Sequence, residues 1–383
     1  IQVGQCREAV LRINLNYEPN EVCCRGNNPT VRNVLMENVT CQQSKYGVQV
    51  IGLEDDTCVH NIIVRNCRFD GVKQGNSITG KTRDITFDSL FINGSLTLHE
   101  KPYQHYSQWM THSEMQRTPK SYLLDFSTKP KWSYVMGIEL EAMLDTYLCH
   151  GGKPIWDYCQ QYIDTMISSN GDIRGYKYKD YNLDNIRTGH FLARMYQLNS
   201  KPEMLAAMQT LMRQLKEQPR TNTDRVFWHK AIYSYQVWLD GIFMGLPYHV
   251  LTASMLLPAN EAQKIYDDAV NQVTTTYRRT LDPLTGLNRH ARDETRLMFW
   301  ADPQTGLSQH CWGRAQGWFT MALIELLDAL PADYARRADI LAILNQTLEA
   351  IIRWQDPETG VWYQVMDSPQ REGNYLEATC PAM

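Results

Sequence analysis

Two periodicities divide the chain. Over residues 1 to about 98, apolar and polar side chains alternate at every second position, and the alternation repeats. Val31 to Val39 aligns with Val59 to Cys67 and then with Thr82 to Leu90, spacings of 28 residues (31 to 59) and 23 (59 to 82). Each copy carries Asn, Asp or Ser at two matched positions: Asn33, Asn61 and Asp84, then Asn38, Asn66 and Ser89. Alternation repeated at this length predicts short strands stacked coil on coil, with side-chain amides laddered at the corners. That is a partial right-handed parallel β-helix. Gly47, Gly52, Gly71, Gly75 and Gly80 mark the turns.

Residues 99–130 are polar, contain three prolines and have no clear period, so they read as a linker. From Trp132 onward the apolar period becomes 3.6, predicting helices over about 133–149, 154–168, 183–198, 202–217, 234–255, 260–277, 313–329 and 332–354, with a ninth from about 374. Short links alternate with long, aromatic-rich ones, as an array of antiparallel helix hairpins requires when one end carries a site. Asp282–Gly286, Asp302–Gly306 and Asp356–Gly360 share a D-P-x-T-G pattern, in which Pro presets a turn and Gly takes a positive φ. The fold class is therefore multidomain, with strand coils first and an all-α toroid after them.

Composition narrows the partners. A net charge of −4 over 383 residues argues against nucleic acid or a membrane surface. The longest apolar runs fall short of the 18 or so residues that a membrane span needs. Ten cysteines form no C-x-x-C pair or zinc-type cluster, so no metal and no cofactor is expected. The chain opens at Ile1 without a leader and stops at Met383 in what reads as the start of a helix, so an internal piece of a longer protein is expected.

The densest chemistry lies in residues 224–249, DRVFWHKAIYSYQVWLDGIFMGLPYH. Trp238, Leu239, Ile242 and Phe243 crowd Asp240, and stripping water from a carboxyl raises its pKa towards the range of a general acid. The plainer reading makes Asp240 a helix N-cap. Asp184 sits where another helix begins and invites the same pair of readings. Arg314 and Trp318 share one helix face with Trp312 at its start, so a guanidinium framed by indoles meets a carboxylate while the rings stack on a sugar. The alternative is an Arg laid over a packed Trp pair. His290 follows a D-P-x-T-G turn and reads either as a site residue or as a loop hydrogen-bonding group.

Taken together, these stretches resemble a known family. YNLDN…TG (181–189), VWLDGIFMG (237–245), H-x-x-D-E-T-R (290–296), WADPxTG (300–306) and WGRAQGW (312–318) are similar to glycoside hydrolase family 105, the unsaturated rhamnogalacturonyl hydrolases, and to the related family 88. The resemblance covers about residues 130–383 and implies an (α/α)6 barrel, here with its last helices absent. It implies Asp240 as catalytic acid/base and Asp184 as the second active-site aspartate. Tyr134, Lys230, Trp238, His290, Trp312, Arg314 and Trp318 would line the substrate pocket. Gly313 and Gln316 depart from common family residues. Residues 1–98, led by LRINLNYEPNE (11–21), resemble the C-terminal coils of a family 28 polygalacturonase-type β-helix whose catalytic part lies upstream.

The implied reaction removes a 4,5-unsaturated uronic acid from the non-reducing end of a pectin oligosaccharide by hydrating its double bond. The implied partner is that oligosaccharide, and the pairing of modules suggests a periplasmic or exported protein. Alternatives are an inverting glycosidase using Asp184 and Asp240 on saturated glycosides, or a non-catalytic carbohydrate-binding fragment.

Overall fold

The computed structural model describes residues 1–16, 28–97 and 105–383. Of the sequence expectations, residues 17–21 of the 11–21 segment and residues 99–104 of the expected linker lie outside these. The chain divides into two compact units, Ile1–Trp109 and Met110–Met383.

In the first unit, strands β1 (Gln2–Val3), β2 (Ala9–Asn14), β3 (Val31–Glu37), β4 (Thr40–Cys41), β5 (Tyr46–Ile51), β6 (Val59–Phe69), β7 (Ser77–Thr79), β8 (Thr82–Ile92) and β9 (Ser95–Thr97) form two sheets. β2, β5 and β7 pair in parallel, as do β1 with β4, β3 and β4 with β6, and β6 with β8. Among the described strands of this unit β9 alone runs antiparallel, against β8, so the sheet content is mixed. The register pairs Val31 with Val59 and Val59 with Thr82, the alignment read from the repeats. Asn33, Asn61 and Asp84 all take positive φ, as do Asn38, Asn66 and Ser89. Short polar side chains tolerate that left-handed corner and bond along it. Asn61 donates to Asn33 at 2.7 Å and Asn66 to Asn38 at 2.5 Å. Val48, Val50, Ile62, Val64, Phe69 and Leu90 fill the space beneath, each fully buried.

The second unit is helical: α1 (Tyr106–Arg117, whose first residues precede the division), α2 (Tyr134–His150), α3 (Lys153–Met166), α4 (Asp184–Leu198), α5 (Pro202–Glu217), α6 (Leu239–Leu256), α7 (Ala259–Thr280), α8 (Gly313–Ala329), α9 (Arg337–Arg353) and a single turn, α10 (Thr379–Ala382). α2 packs on α4, α4 on α6 and α6 on α8. α3, α5, α7 and α9 lie outside them as hairpin partners. The sequence explains the layering. α6 is buried on nearly every face, whereas α3 buries only the stripe Ile155, Tyr158, Cys159, Tyr162, Ile163 and Met166. A Cβ on Gly137 would lie 2.7 Å from the Thr188 backbone, so glycine there permits the close approach of α2 to α4.

Each inner helix returns through an outer one, so the inner N-termini gather at one end, which also carries the long connections 167–183, 218–238 and 281–312. Short links such as 151–152 and 257–258 lie at the other end. The three D-P-x-T-G turns share one geometry, with the Gly amide donating to the Asp carbonyl at 2.7–2.9 Å and φ of 72–77° at Gly.

Three expectations change. The expected linker contains α1 and a 3-10 turn at 121–123. Thr111 bonds Thr146, and Ser121 and Tyr158 tie this segment to α3, so within the described residues 105–130 it belongs largely to the helical unit. Its polarity misled because it is a thin outer layer. The helix expected from 234 begins at Leu239, after strand β10 (Gln236–Trp238), which pairs antiparallel with β11 (Ala291–Asp293). The ninth helix begins at Thr379, because β12 (Trp362–Tyr363) and β13 (Leu376–Glu377) form a hairpin before it.

Deeper along the inner helices lies a buried ionic network. The Arg187 side chain, 2% exposed, donates to Glu325 and, at 2.7 Å, to Glu141. Glu141 also meets His190 and Arg194. Glu141, His190 and Glu325 have metal-ligand types within reach of one another, but here their carboxylates are taken up by guanidinium groups. A cavity of about 450 Å³ adjoins this network. No helix among the described residues is long and apolar enough to cross a membrane.

Candidate active site

The four inner N-termini bring together every side chain that the sequence singled out. Asp184 is the first residue of α4, its amide capped by the Asn182 side chain at 3.0 Å. Asp240 is the second residue of α6, with Trp238 in the cap position. Neither aspartate is the N-cap of its helix. Each projects from the first turn, where unpaired backbone N–H groups favour an anion.

The surroundings of the two acids differ. Lys230 Nζ lies 2.6 Å from one Asp184 oxygen and His229 Nε2 lies 3.2 Å from the other. Burial by itself pushes the Asp184 pKa up. The hydrogen bonds and charge of His229 and Lys230 outweigh it and hold the carboxyl below its usual value, so Asp184 is a fixed carboxylate. Asp240 instead meets His290, with Nε2 2.9 Å from Oδ2. Among the described residues its Oδ1 has no hydrogen-bond partner, which leaves that oxygen available to a ligand.

Strand pairing sets this contact. β10 and β11 align Trp238 with Ala291, and Leu239 N donates to His290 O at 3.0 Å, so His290 arrives beside the first turn of α6. The rest of the H-x-x-D-E-T-R stretch is scaffold. Buried Asp293 accepts the amides of Thr295, Leu297 and Met298, and Glu294 accepts those of Asn222 and Thr223.

Aromatic rings form the walls. Trp238 lies 5.2 Å from His290, and His290 lies 4.9 Å from Trp312. The Arg314 guanidinium sits 4.1 Å from the Trp312 ring centre. Trp318 stacks on Phe243 at 5.0 Å and meets Tyr134 edge-on at 6.4 Å. The Tyr134 hydroxyl is pushed up by burial and then by the charges of Asp184 and Asp240, so it lies within electrostatic reach of both acids.

Four further residues complete the arrangement. His229, 4% exposed, lies within 3° of parallel to Trp238, and Tyr233 within 7°. Glu377, on β13, accepts from Arg314 and from the Thr379 hydroxyl. Phe243 carries Trp318 on its ring, with the Arg187 guanidinium 4.1 Å from its centre. His229 adjoins Lys230 in sequence and Phe243 follows Asp240 closely, so both were within the stretches already read. Glu377 gave no local signal, because it sits on a hairpin strand 63 residues beyond Arg314.

The chemistry this permits is specific: a fixed anion and a second acid paired to an imidazole, enclosed by sugar-sized aromatic surfaces and a guanidinium. A model of Glycosyl Hydrolase Family 88 matches residues 106–383. A solved family 105 glycoside hydrolase of C. acetobutylicum ATCC 824 is 34% identical, with 72% of this chain and 74% of that one covered and a TM-score of 0.67. The chain belongs to the glycosyl hydrolase 88/105 family. The same barrel-type fold recurs in a possible GH105 member from Klebsiella pneumoniae, 20% identical over 75% of each chain with a TM-score of 0.59. Protein Atu3128 of Agrobacterium fabrum is 35% identical over 140 residues, 37% of this chain and 57% of that protein. YesR of Bacillus subtilis, named an unsaturated rhamnogalacturonyl hydrolase, is 26% identical over 151 residues, 39% of this chain and 40% of its own length. The chain thus spans little more than half the length of the first of these curated relatives. Within the 88/105 domain, the aspartates and their aromatic surround all stand on the N-terminal ends of α2, α4, α6 and α8 or on the loops leading into them.

Proposed function

We propose that this protein hydrates the 4,5 double bond of an unsaturated uronic acid at the non-reducing end of a rhamnogalacturonan oligosaccharide, releasing the remaining sugars. The observation that carries the reading is the unequal pair of aspartates, one clamped as an anion by Lys230 and His229, the other bonded among the described residues only to His290. The name of the YesR relative supports the substrate class.

In this reading protonated Asp240 delivers its proton to C4, and the C4=C5 electrons form the new C–H bond. Positive charge develops on C5 and the ring oxygen, near the Asp184 carboxylate. Water adds at C5 and returns its proton to Asp240, because an anion already held by Lys230 and His229 is a poor base. The C5 hemiketal opens to a ketone, and the C1 hemiacetal then collapses and frees the aglycone. Arg314 holds the uronate carboxylate alongside Trp312, with Trp318 and Tyr134 bounding the ring. His290 orients Asp240. For the first unit, the parallel register and the Asn ladders support the closing coils of a polygalacturonase-type β-helix.

The test is the loss of ultraviolet absorbance of an unsaturated rhamnogalacturonan disaccharide. Wild-type protein removes it, while Asp240→Asn slows turnover by about 10³-fold or more with binding retained in calorimetry. Equal rates for wild type and variant would overturn the assignment, as would turnover of the saturated analogue.

A further inference from the structure

We propose that Tyr178, Lys179 and Tyr181 form an outer subsite for a further acidic sugar of the departing oligosaccharide, so that the preferred substrate is longer than a disaccharide. This rests on the hydratase reading above.

Position comes first. Arg314 and Trp312, at the start of α8, lie at one end of the row of inner helices α2, α4, α6 and α8. The loop 176–183 leads into α4 and packs outward, where Gln218 donates to Tyr181 O and Gln214 to Asn182 O from α5 and its end. It also joins the Lys230 loop, since Ala231 N donates to Asp180 O at 3.0 Å and Leu183 N to His229 O at 3.1 Å. A chain whose first sugar sits on Trp312 and whose glycosidic bond lies by the two aspartates therefore continues towards this loop.

Composition and geometry then define the ligand. Tyr178 and Tyr181 meet edge to face at 5.7 Å, and the exposed Lys179 ammonium lies 5.2 and 5.6 Å from their ring centres and 3.3 Å from the Tyr181 hydroxyl. Among the described residues no carboxylate lies within ion-pair distance of that ammonium. Tyr181 has φ of 41°, a left-handed conformation that is costly for a bulky side chain. Such strain persists where the surroundings impose it, and it concentrates at ligand-binding positions. Here it falls three residues before Asp184, with the Tyr181 hydroxyl donating to Glu217 at 3.3 Å. Partly exposed phenol rings with an unpaired ammonium held over them suit the apolar face and carboxylate of a uronic acid.

The experiment compares kcat/KM for an unsaturated disaccharide with that for an unsaturated tetrasaccharide containing an internal galacturonate. Wild-type protein prefers the tetrasaccharide. Lys179→Met loses that preference by about fivefold or more, through KM, while disaccharide turnover stays within twofold. An unchanged ratio in the variant, or equal use of both lengths by wild type, overturns the subsite. Calorimetry with the saturated tetrasaccharide gives the same decision without turnover, because Lys179→Met then weakens binding and equal affinity refutes the proposal. Failure of wild type on both unsaturated substrates would instead strike at the hydratase reading.

Discussion

Lys230 separates two accounts of the site. The family resemblance places it in the substrate pocket, whereas in the structure its ammonium lies 2.6 Å from Asp184. Replacement by Met tests which role dominates. At an effective dielectric of about 20, two charges at that distance attract by roughly 6 kcal/mol, before desolvation of both is set against it. The side chains are 22% and 17% exposed, and His229 still supports the other oxygen at 3.2 Å. A nearby opposite charge favours the charged form of a carboxyl and so lowers its pKa. The sign follows from the depressed pKa of Asp184, since losing a cation raises it. The acidic limb of kcat/KM against pH therefore moves to higher pH in Lys230→Met, and the rates converge towards wild type on the plateau. Lys230→Arg keeps the charge and should leave the limb near its original place. The assay is the absorbance loss followed across pH, with thermal melts confirming that each variant is folded. A uniform fall in rate with an unmoved limb would refute this reasoning and give Lys230 to the substrate.

Two other substitutions probe the supports of the site. Gly241→Ala places a Cβ 3.0 Å from His229 Nδ1 and 3.3 Å from Leu183. It should displace the ring that holds Asp184 and lower kcat about tenfold, for a stability loss of about 1–3 kcal/mol. Unchanged kcat with an unchanged melting temperature would show that His229 has room to yield. Arg187→Met leaves Glu141 short of a buried partner, costing about 3–5 kcal/mol and roughly 6–15 °C in melting temperature. Burial pushes Glu141 up, but His190, Arg187 and Arg194 together hold its folded pKa well below the ordinary carboxylate value. The stability this contributes is present above the unfolded pKa of about 4.3 and is lost as pH falls below it. Melting curves should thus show a shallower acid-side loss in the variant, and parallel curves would refute the coupling.

Periodicity alone located most of this fold. The repeats fixed the register of β3, β6 and β8 because alternation and corner Asn residues are both local signals. The inner and outer helices were legible to within a few residues, since burial stripes set their lengths. Most of the failures have a common cause. β10, β11, β12 and β13 are two or three residues long, too short to show a period, and each exists through a partner distant in sequence. Glu377 was missed for the same reason. α1 was missed because its polar sequence buries little beyond Thr111.

The choice between cap and catalyst at Asp184 and Asp240 was framed too narrowly. Both residues stand in the first helical turn, Asp184 one step and Asp240 two steps past the cap, where the chain leaves a loop and the side chain projects towards the helix N-terminus. In a ring of hairpins the inner N-termini converge, so this position places a short acid at the mouth on a rigid element. What then distinguishes the two is the loop that meets each one. The 228–231 segment brings Lys230 and His229 to Asp184, and the strand pair β10–β11 brings His290 to Asp240. A helical ring alone would give two similar carboxylates. The difference between them is made by a few residues of loop and strand, which is why it could not be read from helical periodicity, and why exchanging those loops rather than the helices should reassign the roles of the acids.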